Sequence, residues 1–225
     1  RKNAPYGEKS PSQILDLCVK NTDLLLEKNC KLIVVACNTA TTNAIRFLRE
    51  NYKVPFIGIE PAIKPAALKS NSKIIGVLAT KGTLSSELFN STSELHASGI
   101  KIIEQEGTGL VPLIEEGKVY AGETRVLLKK FVNPMLEQGI DYLVLGCTHY
   151  PYLIPVLKEM LPSDVKIIDS GEAVARQTKA VLAANDLLNL SKEKGAVQFY
   201  TNSDVSVLQD FLSAVDAAGV SYLDF

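Results

Sequence analysis

Runs of consecutive apolar residues alternate along this chain with stretches whose apolar positions recur every three to four residues. Residues 31–36, Lys31-Leu32-Ile33-Val34-Val35-Ala36, form a β-branched run of the kind found in strands buried on both faces. Comparable runs predict strands at 54–59, 74–79, 101–105, 141–145, 165–169 and 197–201. Within 10–29, Ile14, Leu15, Leu17, Cys18, Leu24 and Leu25 have helical spacing, with Ser10 or Ser12 as the N-cap. Further helices are expected over 41–51, from the Thr80-Lys81-Gly82-Thr83 segment through 95, and over 122–138, 151–161, 171–188 and 206–218. Strand and helix alternate almost strictly, which predicts an α/β fold with mainly parallel sheets.

Composition narrows the classes without changing that picture. A chain of 225 residues, 46% hydrophobic and 22% charged, can bury a sizeable core in one large domain or two small ones. Its 24 basic and 25 acidic residues nearly cancel, so electrostatics gives no reason to expect a nucleic-acid or membrane partner. The longest apolar runs, such as 32–37 and 142–147, are far too short to span a bilayer. Arg1-Lys2-Asn3-Ala4-Pro5-Tyr6-Gly7 has no signal-peptide core, and a cytoplasmic protein is expected.

The candidate chemistry lies in the cysteines. Four in a chain of this length do not make a disulfide framework, and with two histidines and no C-x-x-C pair a zinc site is not expected. Cys18 lies on an apolar helix face and Cys30 just before a strand, and both read as packing residues. Cys37 and Cys147 differ from them, because each directly follows a buried strand, where ligands gather in parallel α/β sheets. The segments around them are alike. Leu32-Ile33-Val34-Val35-Ala36-Cys37-Asn38-Thr39 and Tyr142-Leu143-Val144-Leu145-Gly146-Cys147-Thr148-His149 each carry four large residues, a small one, a cysteine and two hydrogen-bonding residues. Two related halves facing each other would set the thiols across a shared cleft. Inverting an α-carbon needs one base on each face, and a thiolate opposite a thiol forms such a pair near neutral pH. His96, Lys64 and the pair Lys129-Lys130 read as solvated, and Gly107-Thr108-Gly109 reads as a turn, too short for a phosphate loop.

Four segments together resemble the glutamate racemase family: Pro5-Tyr6-Gly7-Glu8-Lys9-Ser10, Ala36-Cys37-Asn38-Thr39-Ala40-Thr41-Thr42, Gly58-Ile59-Glu60-Pro61-Ala62-Ile63-Lys64-Pro65-Ala66 and Leu145-Gly146-Cys147-Thr148-His149-Tyr150-Pro151. The resemblance covers nearly the whole chain. It implies interconversion of L- and D-glutamate without pyridoxal phosphate, metal or other cofactor, supplying D-glutamate for bacterial peptidoglycan. It also implies two pseudo-symmetric α/β domains with the active site in the cleft between them, here residues 1–61 with 170–225, and 62–169. Cys37 would act on the D-enantiomer and Cys147 on the L-enantiomer, with His149 and Glu115 supporting Cys147. Tyr6, Gly7, Asn38, Thr39, Thr148 and His149 would hold the substrate, and Thr80 and Thr83 would lie near its carboxylate. The family commonly forms homodimers. The competing readings are another two-cysteine racemase, for aspartate or hydantoin, and an inactive truncated homologue. The Gly-Cys-Thr-His-Tyr-Pro form of the second motif, together with Pro-Tyr-Gly, favours glutamate.

One departure stands out. Members of that family begin with a strand and an Asp-Ser-Gly-x-Gly-Gly loop that supports the first cysteine, and nothing like it precedes Pro5. A further aspartate, five residues before that proline, would fall just ahead of Arg1. The expectation is that the parent protein carries these residues before the sequence given.

Overall fold

The computed structural model describes residues 3–191, 193, 195–212 and 219–225. In chain order the elements begin with α1 (Pro11–Glu27), β1 (Ile33–Val35), α2 (Asn38–Asn51), β2 (Phe56–Gly58), α3 (Ile63–Lys69) and β3 (Ile74–Ala79). They continue with α4 (Lys81–Leu84), α5 (Glu87–His96), β4 (Lys101–Glu106), α6 (Leu110–Glu115), α7 (Gly122–Glu137) and β5 (Tyr142–Gly146). The last six are α8 (Ile154–Met160), β6 (Lys166–Ile168), α9 (Gly171–Ala184), β7 (Phe199–Thr201), α10 (Val205–Phe211) and β8 (Val220–Tyr222). Short 3-10 turns cover Tyr6–Glu8 and Tyr150–Leu153. The fold is α/β, and every described strand pairing is parallel.

The largest sheet has the order β4-β3-β5-β6 and places a packed core on each face. Side chains alternate across a strand with period two, and the two cores divide the residues of β3 and β5 accordingly. Leu78, Leu143 and Leu145 face α6, α7 and α8 through Ile114, Leu128, Val132, Met135, Val156 and Leu157. Ile75, Val77, Ala79 and Val144 face α3 and α5 through Ile63, Ala66, Ala67 and Phe89. Each fully buried Leu or Ile here contributes about 1.5–3 kcal/mol of hydrophobic stabilisation. β3 and β5 are therefore rigid, and whatever follows their carboxyl ends is held firmly.

A third core joins α1, α2 and the β1–β2 pair through Ile14, Cys18, Ile33, Ala44, Ile45, Leu48 and Phe56. The N-cap of α1 is Ser10 rather than Ser12. Its hydroxyl accepts the Gln13 N–H while the Gln13 side chain takes the Ser10 N–H at 3.0 Å, a reciprocal box that satisfies two orphan donors. The expectation that 31–36 is buried on both faces is corrected. Val34 is 37% exposed, because among the described residues β1 pairs with β2 alone and its other side borders a cavity instead of packed chain. β7 and β8 pair with each other, with Tyr200 of β7 and Leu223 just after β8 lining that cavity, and β8 has no counterpart among the strands predicted from sequence. The expected helix 206–218 appears as α10, and residues 213–218 lie outside the described residues. Among the described residues no helix is long and apolar enough to cross a membrane.

Candidate active site

A cavity of about 750 Å³ opens at the carboxyl ends of β1 and β5, and both Cys37 and Cys147 line it. Tyr6, Gly7, Asn38, Thr39, Thr80, Thr148, His149 and Glu115 share the lining. Among the residues lining it, Lys28, Glu115 and His149 are the ionisable ones besides thiols and phenols, so a bound carboxylate would depend mainly on hydroxyls, amides and backbone N–H groups. The lining also has a large apolar share that includes Leu24, Leu25, Val34, Leu208 and Phe225.

Cys37 occupies the N-cap position of α2 with extended backbone (φ −142°, ψ 122°). Helix N-termini carry unsatisfied N–H groups and a partial positive charge, an environment that favours a thiolate. Burial pushes the Cys37 thiol up from its ordinary value, and hydrogen bonds from the backbone N–H groups of Ala40 and Thr39 pull it back down. The first turn of α2 is anchored from behind. The Thr41 hydroxyl donates to the Val35 carbonyl at 3.0 Å and accepts the Ile59 N–H at 3.0 Å, tying the helix to the ends of both β1 and β2. Asn38, itself buried, donates from Nδ2 to the Ile59 carbonyl at 3.5 Å.

Cys147 sits one residue beyond β5. Gly146 before it is required by close approach: a Cβ there would lie 2.7 Å from Ala79 Cβ and 3.2 Å from Pro61 Cγ. Burial raises the Cys147 thiol to about 12, opposed by the N–H groups of His149 and Tyr150, while Cys37 adds a further upward push. Charge on one sulfur is thus felt by the other. His149 Nδ1 lies 3.9 Å from Cys147 Sγ, and His149 Nε2 is 2.8 Å from Glu115 Oε1 at the end of α6. With Nε2 donating to that carboxylate, Nδ1 is free to accept the thiol proton.

The threonines form a cluster of their own. Thr39 Oγ1 is 2.8 Å from Thr80 Oγ1 and 3.5 Å from Thr83 Oγ1, and Thr80 and Thr83 are 3.1 Å apart. Thr83 is fully buried and does not line the cavity, so it backs the other two hydroxyls instead of facing a ligand. Tyr6 Oη accepts from Asn21 Nδ2 at 3.4 Å, and burial, followed by the nearby Cys18, raises this phenol. Sequence reasoning missed three features. Cys18 lines the same cavity, and burial raises it to about 12, with Cys37 adding to the effect. Asn21 on α1 reaches Tyr6, and Thr41 fastens α2. The helical spacing of α1 puts Cys18 and Asn21 on one face, yet nothing local says what that face meets.

Two free thiols, one at the N-cap of α2 and one just beyond β5, line the same cavity, an arrangement suited to acid–base chemistry on a small molecule bound there. The chain belongs to the Asp/Glu/hydantoin racemase family, which it matches over residues 3–178. It is 47% identical over 209 residues, covering 92% of this chain and 78% of its relative, to the glutamate racemase of Pseudomonas putida KT2440. Among solved structures it is similar to Escherichia coli glutamate racemase in complex with L-glutamate and activator UDP-MurNAc-Ala, at a TM-score of 0.85 and 31% identity, over 98% of this chain and 84% of that one. It is likewise similar to Francisella tularensis glutamate racemase in complex with D-glutamate, at a TM-score of 0.83 and 26% identity, over 99% of this chain and 84% of that one.

Proposed function

We propose that this protein is a glutamate racemase that interconverts L- and D-glutamate by two-base proton transfer between Cys37 and Cys147. The observation that carries the reading is that both thiols line one cavity, Cys37 from the N-cap of α2 and Cys147 from the residue after β5. With L-glutamate bound, the Cys147 thiolate removes the α-proton and the Cys37 thiol returns a proton to the opposite face. With D-glutamate the roles exchange. Each turnover leaves the two sulfurs with one proton between them, so nothing else is consumed.

Burial raises both thiols in the free protein, so the thiolate must form as substrate arrives. The substrate ammonium offsets that cost, and His149, held by Glu115, takes up the Cys147 proton. If the α-carbon acid exceeds a thiol by roughly ten pK units, the site must offset about 14 kcal/mol. Hydrogen-bond donors aimed at the carboxylate do most of this, because negative charge builds there in the transition state. Asn38, Thr39, Thr80 and Thr148, with the backbone at Tyr6-Gly7, are the donors we assign. The reading extends to two α/β domains, residues 1–61 with 170–225 and 62–169. Its support is that the four-stranded sheet and its two cores draw their buried residues from the second segment. It extends also to a cytoplasmic homodimer that supplies D-glutamate for peptidoglycan.

The test is polarimetry and α-proton exchange in deuterated water with the full-length protein. Wild type should racemise either enantiomer, and Cys37→Ala or Cys147→Ala should each abolish racemisation. Substantial turnover by either single variant would overturn the two-base assignment, and no exchange or rotation change by wild type would overturn the reading of function.

A further inference from the structure

Gly82 lies at the second position of α4, between two pieces of the site that come from distant parts of the chain. A Cβ built on it would stand 2.7 Å from Thr39 Cγ2, with Gly7 Cα at 3.6 Å and the Gly7 carbonyl oxygen at 3.7 Å behind it. The Gly7 contacts are ordinary, but real Cβ atoms essentially never approach a neighbour as closely as the first. The backbone gives Gly82 no conformational reason to be glycine, since it is not among the positive-φ positions. The absence of a side chain is therefore a matter of space, and the group that needs the space is the Thr39 methyl.

Thr39 cannot simply turn away. Its hydroxyl is engaged with Thr80 at 2.8 Å and its residue is buried on the first turn of α2. Its carbonyl accepts from Asn43 Nδ2 at 2.7 Å and from the Thr42 hydroxyl at 3.2 Å. Restoring an ordinary contact of 3.4 Å would move the methyl by roughly 0.7 Å, and displacements near 1 Å cost on the order of a hundredfold at reacting centres. Since the Thr39 N–H also reaches the Cys37 sulfur, the same displacement disturbs both the hydroxyl offered to substrate and the donor that steadies the thiolate.

We propose that Gly82 is a positioning residue for the two-thiol reaction: by carrying no side chain it lets the first turn of α2 seat against α4 and the Gly7 turn, and so sets where Thr39 stands relative to Cys37 and the cavity. This deepens the racemase reading and rests on it for its kinetic consequence. The geometric part can be read without turnover.

The experiment uses four full-length proteins: wild type, Gly82→Ala, Thr39→Ser, and the double variant. Thr39→Ser removes the methyl in the way and keeps the hydroxyl. In Gly82→Ala we expect kcat/KM for D- and L-glutamate to fall ten- to a hundredfold. We also expect the pH midpoint for iodoacetamide labelling of Cys37, followed by peptide mass spectrometry, to move upward. Placed on the Thr39→Ser background, the alanine should cost less than threefold and leave the labelling midpoint where Thr39→Ser has it. Gly82→Ala within twofold of wild type in both readouts overturns the proposal, as does an alanine cost undiminished on the serine background. If Gly82→Ala fails to fold, a folded double variant supports the argument and an unfolded one overturns it. A wild type inactive on glutamate would remove the racemase reading, while the labelling series would still decide the role of Gly82.

Discussion

Thr41 offers the sharpest test of how the fold holds Cys37 in place. Its hydroxyl joins the Val35 carbonyl and the Ile59 N–H, both at 3.0 Å, and the residue is 1% exposed. Thr41→Val keeps the shape and deletes both hydrogen bonds, leaving the buried Ile59 N–H and the half-buried Val35 carbonyl without the threonine hydroxyl. An unsatisfied buried group costs about 1–3 kcal/mol, and with one of the two groups only half-buried the pair together should cost about 2–4 kcal/mol. For a chain of this size each kcal/mol shifts Tm by about 2–4 °C, which gives a fall of roughly 5–15 °C. Thr41→Ser is the control. It keeps the hydroxyl and gives up the methyl that lies over Gly58, at a cost of about 1 kcal/mol. Thermal unfolding followed by circular dichroism, with urea titration for the free energy, should rank wild type above serine and serine above valine. A valine variant as stable as the serine variant would refute the claim that these two hydrogen bonds anchor α2. Because α2 carries Cys37, Asn38 and Thr39, the valine variant should also lose racemase activity at temperatures where it is still folded.

Three further outcomes are expected. Burial holds Cys18 and Cys147 at about 12 against an ordinary 9.0, so above pH 9 the native chain binds more protons than the unfolded one. Stability should be full below pH 9 and decline as pH rises from there toward 12. Cys18→Ala should flatten that decline in urea midpoints, and an unchanged alkaline limb would contradict it. For Asp141, burial alone would raise the carboxyl above its ordinary 3.8, but hydrogen bonds from the Ser70 hydroxyl and the N–H groups of Ser72 and Asn71 outweigh it and lower the value. Its contribution is present above pH 4 and lost as pH falls through the lowered value, so the stability gap between wild type and Asp141→Asn should narrow at acid pH; a gap constant from pH 7 to pH 2 would argue against it. Glu115→Gln should lower kcat/KM about tenfold, and equally for both enantiomers, because an equilibrium constant of one ties the two directions together. Polarimetry within twofold of wild type would show that the Glu115–His149 contact does not serve the reaction.

Much of this protein was legible along the chain because its signals are local. Periodicity placed β3 at 74–79, as observed, and put buried β5 directly before Cys147 and a strand, β1, just ahead of Cys37. Ser10 and Gln13 spell out a helix start within four residues. The strand-then-cysteine pattern also singled out Cys37 and Cys147, which the fold places at strand ends on one cavity, whereas nothing local showed that Cys18 lines the same cavity.

What packing alone decided lies between segments. The β-branched run of β1 has the composition of a strand covered on both faces, yet Val34 meets a cavity, because exposure depends on which neighbours a strand has and not on its own residues. Thr41 reads as one more threonine in a helix until the turn beyond β2 comes within reach of its hydroxyl. Gly82 looks like a turn residue until Thr39, 43 positions away, stands where its side chain would be. Local sequence sets backbone conformation through sterics and short hydrogen bonds. Space shared by groups far apart in the chain exists only once the sheets and helices have docked, and the chemistry of the two thiols depends on that space.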